Sequence, residues 1–187
     1  IPRPQLWGLK TPHLHRLVTR VCAGETVLDE ITTPFGIRKA EFRSETGFWQ
    51  NGENLKLKGV CLHHDGGAVG AAVPLGVWER RLKLLRELGV NSIRTAHNPT
   101  APEFLDLCDR MGFLVMDEFF DCWTKGKNPH DYHLYFKEWS KTDLRDGILR
   151  DRNHPSVILY SVGNEIHYTP KPDLAKPIRR GLVDVCH

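Results

Sequence analysis

From residue 55 onward, short apolar runs alternate with amphipathic stretches along the chain. "LKLKGV" (55–60), "NSIRTAHNP" (91–99), "FLVMDE" (113–118) and "SVILYS" (156–161) predict four strands. Between them, "PLGVWERRLKLLREL" (74–88) predicts a helix with Trp78, Leu82, Leu85 and Leu88 on one face and Gly89 as its stop. "TAPEFLDLCDRM" (100–111) predicts a second, with Thr100 as N-cap, Pro102 in the first turn and Gly112 as the stop. "LYFKEWSKTDLRDGILRDR" (134–152) predicts a third, and a fourth begins after Pro170 and Pro172. The first 43 residues read differently. "HLHRLVTRV" alternates apolar and polar positions, and "ETVLDEITTPFGIRKAEF" breaks into short β-rich runs. That pattern predicts about three strands.

Strands that are apolar throughout belong to a parallel sheet covered by helices. No GxGxxG turn follows the first of them, which disfavours a dinucleotide-binding sheet. The remaining α/β architecture is the first half of a (β/α)8 TIM barrel, because a whole barrel takes about 250 residues. The predicted division is 1–43, the last strands of a β-sandwich, and 44–187, the half-barrel. Three strands fall short of a sandwich domain. The start, "IPRPQLWGLK", lacks an initiator Met and the basic and apolar parts of a leader, so a processed or cut piece is expected.

Composition narrows the classes. A net charge of +3 is too mild for nucleic-acid binding, and no run approaches the roughly 18 apolar residues of a membrane span. The five cysteines, Cys22, Cys61, Cys108, Cys122 and Cys186, form no CxxC pair and read as free thiols. A soluble protein of the cytoplasm or periplasm is expected, with self-association left open.

Chemistry collects where each strand ends. His63, His64 and Asp65 follow the first strand; Arg94, His97 and Asn98 follow the second; Asp117, Glu118, Asp121 and Trp123 follow the third; Asn164 and Glu165 follow the fourth. In parallel barrels these ends converge on one mouth, where active sites sit. The bland readings are also specific. Adjacent His63 and His64 point opposite ways, so one faces the mouth. Arg94 can form a structural ion pair with Asp117 or Glu118. Trp123 serves as core filler or as a stacking platform. Asp106, Asp109, Glu79 and Glu87 read as solvent-facing helix positions, and "RDGILRDR" as surface or helix-end pairing. Glu165 is expected to be partly desolvated beside Asn164. That environment raises a carboxyl pKa and suits a general acid.

"LKLKGVCLHHD", "NSIRTAHNP", "FLDLCDRMGFLVMDE" and "RDRNHPSVILYSVGNE", in that order, resemble the glycoside hydrolases of family 2, a family of β-galactosidases, β-glucuronidases and β-mannosidases. "PFGIRKAEF" and "GFWQNGENLKLKG" resemble its passage from an immunoglobulin-like domain into the barrel. The resemblance implies a retaining mechanism with two glutamates. It places the acid/base on Glu165 with Asn164 beside it, and sugar-binding roles on His63, His97, Asp65, Asn98 and Glu118. It implies a bracing role for Arg94 and, more loosely, a role for Trp123. The family's nucleophile ends barrel strand seven, so it is expected outside these residues, and the chain alone is expected to be inactive. The partners implied are a carbohydrate, a β-glycoside, and the remainder of the same polypeptide. Some β-galactosidases of the family bind Mg²⁺ through an acid and a His after strand three. Asp121 and His130 do not reproduce that spacing, so no metal or other cofactor is expected. "HHDGGAVGAAVP" is closest to the β-galactosidase-like branch.

Two rivals remain. A metal-dependent barrel hydrolase would use His63, His97 and Asp117 around a divalent ion. A non-catalytic carbohydrate-binding module would keep the rim and lack the second carboxylate.

Overall fold

A computed structural model describes all 187 residues. Two strands, β1 (His15–Ala23) and β2 (Thr26–Phe35), form a long antiparallel hairpin with an irregularity between Val21 and Cys22. The third strand expected within 1–43 is present as β3 (Ala40–Arg43). It pairs forward rather than back, with β4 (Gly47–Gln50), which pairs in turn with β5 (Glu53–Asn54). The division at 43/44 therefore falls in the turn of the β3–β4 hairpin.

The four-stranded sheet is parallel, in the order β6 (Gly59–His63), β7 (Ser92–Ala96), β8 (Leu114–Glu118), β9 (Val157–Ser161). Its helices are α1 (Leu75–Glu87), α2 (Pro102–Met111), α3 (Phe136–Asp151) and α4 (Pro172–Cys186). Period-2 alternation sorts β6, β7 and β8; in β9 the register irregularity opposite Val115/Met116 adds a residue, so Val157 faces outward and Leu159 inward. Leu62, Ile93, Val115 and Val157 point outward and pack with Trp78, Leu82, Phe104 and Leu105 of α1 and α2. Gly59, Cys61, Arg94, Met116 and Leu159 line the concave inner face. A second cluster, Phe119, Phe120, Trp123, Phe136, Leu144 and Leu182, packs α3 and α4 beyond the sheet.

The first strand begins later than its sequence predicts. Leu55 is drawn away to a floor cluster with Trp7, Phe48 and Leu114, and the parallel ladder starts only at Gly59 opposite Ser92. The N-terminal segment is tied to that floor. Trp7, fully buried, donates Nε1 to the Asp109 carbonyl at 2.8 Å, and Arg38 donates to the carbonyls of Pro155 and Val157 at 2.5 Å each. Gly112 ends α2 at φ +69°. A Cβ there would stand 2.5 Å from the Leu9 carbonyl, so both the turn and the docked segment require glycine.

Four local expectations are corrected. Thr100 is not the α2 cap; Ala101 precedes the helix without a side-chain cap, and buried Thr100 instead meets His64 and offers its carbonyl to Arg150. Leu88 lies off the buried stripe of α1 and is 79% exposed. Asp109 is buried, not solvent-facing: its carboxylate accepts from His154 Nδ1 at 2.6 Å and from the Ser156 N–H at 3.0 Å. Asp151, in the run read as surface or helix-end pairing, does pair at the end of α3, taking a bidentate grip from Arg150 with bonds of 2.6 and 2.7 Å, but it is fully buried rather than at the surface.

Asp117 points outward into this helix layer, beside the Asp151 carboxylate. Its Oδ1 accepts from Thr95 Oγ1 at 3.2 Å, and its Oδ2 has no partner. Burial first, and the neighbouring Asp151 charge second, push the Asp117 carboxyl up to about 7. Arg150 and Thr95 oppose the rise. The sign of the linkage follows. Below the ordinary carboxyl value of 3.8, folded and unfolded chains both hold the proton; as pH climbs to about 7, the unfolded chain releases it first and stability falls. Asp117→Asn keeps an amide for Thr95 and Asp151 and removes the ionisation. It should raise stability by roughly 2 kcal/mol at pH 8 and change it little near pH 4. Denaturant unfolding of the full-length protein at the two pH values measures this.

Candidate active site

Period-2 parity puts Arg94, Glu118 and Ser161 on the inner face at the C-terminal ends of three adjacent strands. Glu118 is their hub and is fully buried. Its Oε2 accepts from Arg94 Nε at 2.9 Å, Arg94 Nη2 at 2.7 Å and Ser161 Oγ at 2.6 Å; its Oε1 accepts from Arg94 Nη2 at 2.8 Å and His97 Nδ1 at 2.7 Å. The bond to Glu118 holds the Arg94 guanidinium above its ordinary pKa. With Nδ1–H donated to Glu118, His97 presents Nε2 to the mouth.

Arg94 Nη2 also donates to Asn164 Oδ1 at 2.8 Å, and Asn164 Nδ2 donates to Asp121 Oδ1 at 2.9 Å. Asn164 is further pinned by its own N–H, bonded to the Phe120 carbonyl at 2.9 Å. One amide N–H remains for a ligand hydroxyl. Burial pushes the Asp121 carboxyl up, but donors from Lys127 and Asn164 outweigh it and hold the group below its ordinary value. Lys127 Nζ lies 2.7 Å from Asp121 Oδ1, 3.1 Å from the Asn164 carbonyl and 3.7 Å from Glu165 Oε2.

Glu165 follows Asn164 at φ +46°, a left-handed conformation that costs a non-glycine residue on the order of 1–3 kcal/mol. Its side chain is 81% exposed, so the expected partial desolvation is not met here. β9 is the edge of the sheet, and the carboxylate projects into an open cleft lined by Trp123, Gly163, Ile166, Thr169, Lys176 and Arg179. A Cβ on Gly163 would lie 2.9 Å from Trp123 Nε1, so glycine brings the tryptophan against this turn. Trp123 is only 5% exposed, donates Nε1 to the Val162 carbonyl at 2.7 Å and packs near Phe136; it acts as the wall of the cleft rather than as an open stacking platform.

The two adjacent histidines diverge as expected. His63 meets His97 edge-on, ring centres 5.1 Å apart, while His64 turns outward to Trp78 and Thr100. Asp65 and Asn98 lie in an open depression with His63; Asp65 Oδ1 accepts the Gly67 N–H at 2.6 Å. The rival metal set is not assembled, because Asp117 points away from His63 and His97 into the helix layer. The close group Asp106, Asp109 and His154 lies at the opposite, floor end of the strands.

Sequence reasoning missed Ser161 and Lys127 as parts of the site. Ser161 shares the inward parity of Leu159 and could have been found that way. Lys127 sits in the loop "TKGKNPH", where no periodicity assigns a direction.

A parallel half-barrel with an Arg–Glu–His–Asn network built on a buried Glu at its mouth and an exposed carboxylate beside it defines a barrel of the glycosidase type. The family model "Glycosyl hydrolases family 2, TIM barrel domain" matches residues 42–176, and "Glycosyl hydrolases family 2" matches residues 1–38. The chain belongs to glycosyl hydrolase family 2. It is 55% identical over 166 residues to the β-galactosidase BoGH2A of Bacteroides ovatus, covering 89% of this chain and 20% of that protein. It is 32% identical over 169 residues to a β-glucuronidase of Bacteroides fragilis, covering 89% of this chain and 24% of that protein. A solved β-glycosidase structure from Bacteroides vulgatus superposes with a TM-score of 0.90 at 44% identity, covering 99% of this chain and 24% of the other. The chain thus spans about a fifth of the length of the curated relatives it matches. No helix is long and apolar enough to cross a membrane.

Proposed function

We propose that this chain carries the acid/base side of a retaining, exo-acting β-glycoside hydrolase, with Glu165 donating the proton to the glycosidic oxygen. The observation that carries this reading is Glu165 itself. Its backbone is held in a left-handed conformation at the mouth, its carboxylate is free of any short contact, and its neighbour Asn164 is locked by Arg94 and Asp121. An acid that must reach a substrate oxygen needs that freedom, while the groups around it need fixed positions.

His63, Asp65 and Asn98 face the open depression, His97 stands edge-on against His63, and all four are assigned the sugar hydroxyls. Asn164 keeps one amide proton for the ring, and Arg94 and Glu118 act through it and through His97. Trp123 walls the leaving-group side. The nucleophile, about 5 Å from Glu165 in a retaining enzyme, belongs to a later strand of the longer polypeptide. Residues 1–43 then close an immunoglobulin-like domain and 44–187 open the barrel. The 187 residues alone are expected to show no turnover. The name of the 55% identical relative favours a β-galactoside as substrate.

A panel of nitrophenyl β-glycosides offered to the full-length protein tests the substrate. The β-galactoside is expected to turn over at least about 10-fold faster than the β-glucuronide or β-mannoside. Binding of a sugar without turnover of any member would instead support the non-catalytic module.

A further inference from the structure

The ammonium of Lys127 is the one cation in contact with Glu165, and nothing in the barrel motifs accounts for it. It stands where three oxygens converge: Asp121 Oδ1 at 2.7 Å, the Asn164 carbonyl at 3.1 Å and Glu165 Oε2 at 3.7 Å. Its side chain is 20% exposed, so the stem is packed and the charge is delivered to one spot. The loop carrying it is tied down independently. Asp131 accepts from the backbone N–H groups of Lys127 at 2.7 Å and Asn128 at 2.8 Å, and it also binds His133. Asp121, in turn, holds Asn164. A lysine pinned at its backbone and gripped at its ammonium has little freedom left.

We propose that Lys127 is a positioning residue that orients the Glu165 carboxyl toward the leaving-group oxygen. Glu165 has no other close partner, because its remaining cleft neighbours Lys176 and Arg179 stand on α4 with no contact to it as short as that of Lys127. The long contact of 3.7 Å is a tether rather than a clamp, which leaves the carboxyl free to give and regain a proton. This inference rests on the acid/base assignment of Glu165.

The test compares Lys127→Met and Lys127→Arg with Glu165→Gln in the full-length protein, on a good and a poor leaving group. A dinitrophenyl glycoside departs without protonation, whereas a phenyl or alkyl glycoside requires it. In kcat/KM, which reports formation of the glycosyl-enzyme, a misplaced acid therefore harms only the second. Lys127→Met is expected to lose roughly 10- to 100-fold in kcat/KM on the phenyl glycoside and no more than about 3-fold on the dinitrophenyl glycoside, with Lys127→Arg recovering most of the loss. Equal losses on both substrates, or no loss on either, would overturn the proposal. Glu165→Gln must show the same selective pattern, larger. If it does and Lys127→Met does not, only the positioning role fails; if Glu165→Gln itself shows no selectivity, the acid/base assignment fails.

Discussion

Glu165→Gln is expected to cut kcat/KM of the full-length protein on a phenyl or alkyl β-glycoside by roughly 10²–10⁴-fold, the usual contribution of a positioned general acid. Glutamine keeps the size of the side chain and one hydrogen-bond acceptor but has no proton of suitable acidity to give. Its stability cost should be within about 0.5 kcal/mol, because the side chain is 81% exposed and its one ionic contact is 3.7 Å long. Activity and stability therefore separate at this position. Steady-state kinetics beside a denaturation curve of the same variant measures both, and a variant that retains wild-type kcat/KM would make Glu165 a bystander.

The second large effect is expected at Glu118, and it falls on stability. Its carboxylate accepts from Arg94, His97 and Ser161 with no exposure to water. Glu118→Leu leaves a guanidinium, an imidazole N–H and a hydroxyl facing an apolar side chain. Removing one partner of a buried ion pair costs about 3–5 kcal/mol. The lower end applies here, because the Arg94 side chain is 31% exposed and reaches water on one side. A loss of about 3 kcal/mol is expected in urea unfolding of the full-length protein. In the double variant Arg94→Met/Glu118→Leu the stranded charge is gone, and a large part of the loss should return. Additive losses in that cycle would show that Arg94 and Glu118 act separately, against the hub described above.

The strands of the half-barrel were legible because each is a run of about five residues, apolar and bounded by Gly, Pro or Asn. The sequence left Arg94 a choice of Asp117 or Glu118, and the structure pairs it with Glu118 on the inner face. Contacts between distant segments were not legible. Asp109 looks like an ordinary surface position on an amphipathic helix, and its partners His154 and Ser156 lie 45 and 47 residues away. Thr100 has the right chemistry for a cap, yet its hydroxyl is taken by His64, 36 residues before it. The turn "GNE" follows a buried strand, which predicts a partly desolvated carboxylate, but the chain changes hand at Glu165 and puts it in solvent. Lys127 escaped for a related reason: a loop gives no repeat from which to judge which way a side chain points.

The burial of Asp117 beside Asp151 is the least expected feature of the barrel wall. Burial and the neighbouring Asp151 push the Asp117 carboxyl up to about 7 there, on the outer side of the same strand that carries Glu118. Thr95 links the two layers. Its hydroxyl donates to Asp117 and accepts the Glu118 N–H at 2.9 Å, so the wall and the mouth share a side chain.

The assignment of Glu165 is tested most directly by azide trapping. A Glu165→Ala variant of the full-length protein is given a dinitrophenyl β-glycoside and azide, and the product is identified by NMR. An anion that enters the space vacated by the carboxylate attacks the glycosyl-enzyme without needing a base. The account predicts that azide accelerates turnover at least about 10-fold and that the product is the β-glycosyl azide. Turnover indifferent to azide, with free sugar as the sole product, would contradict it.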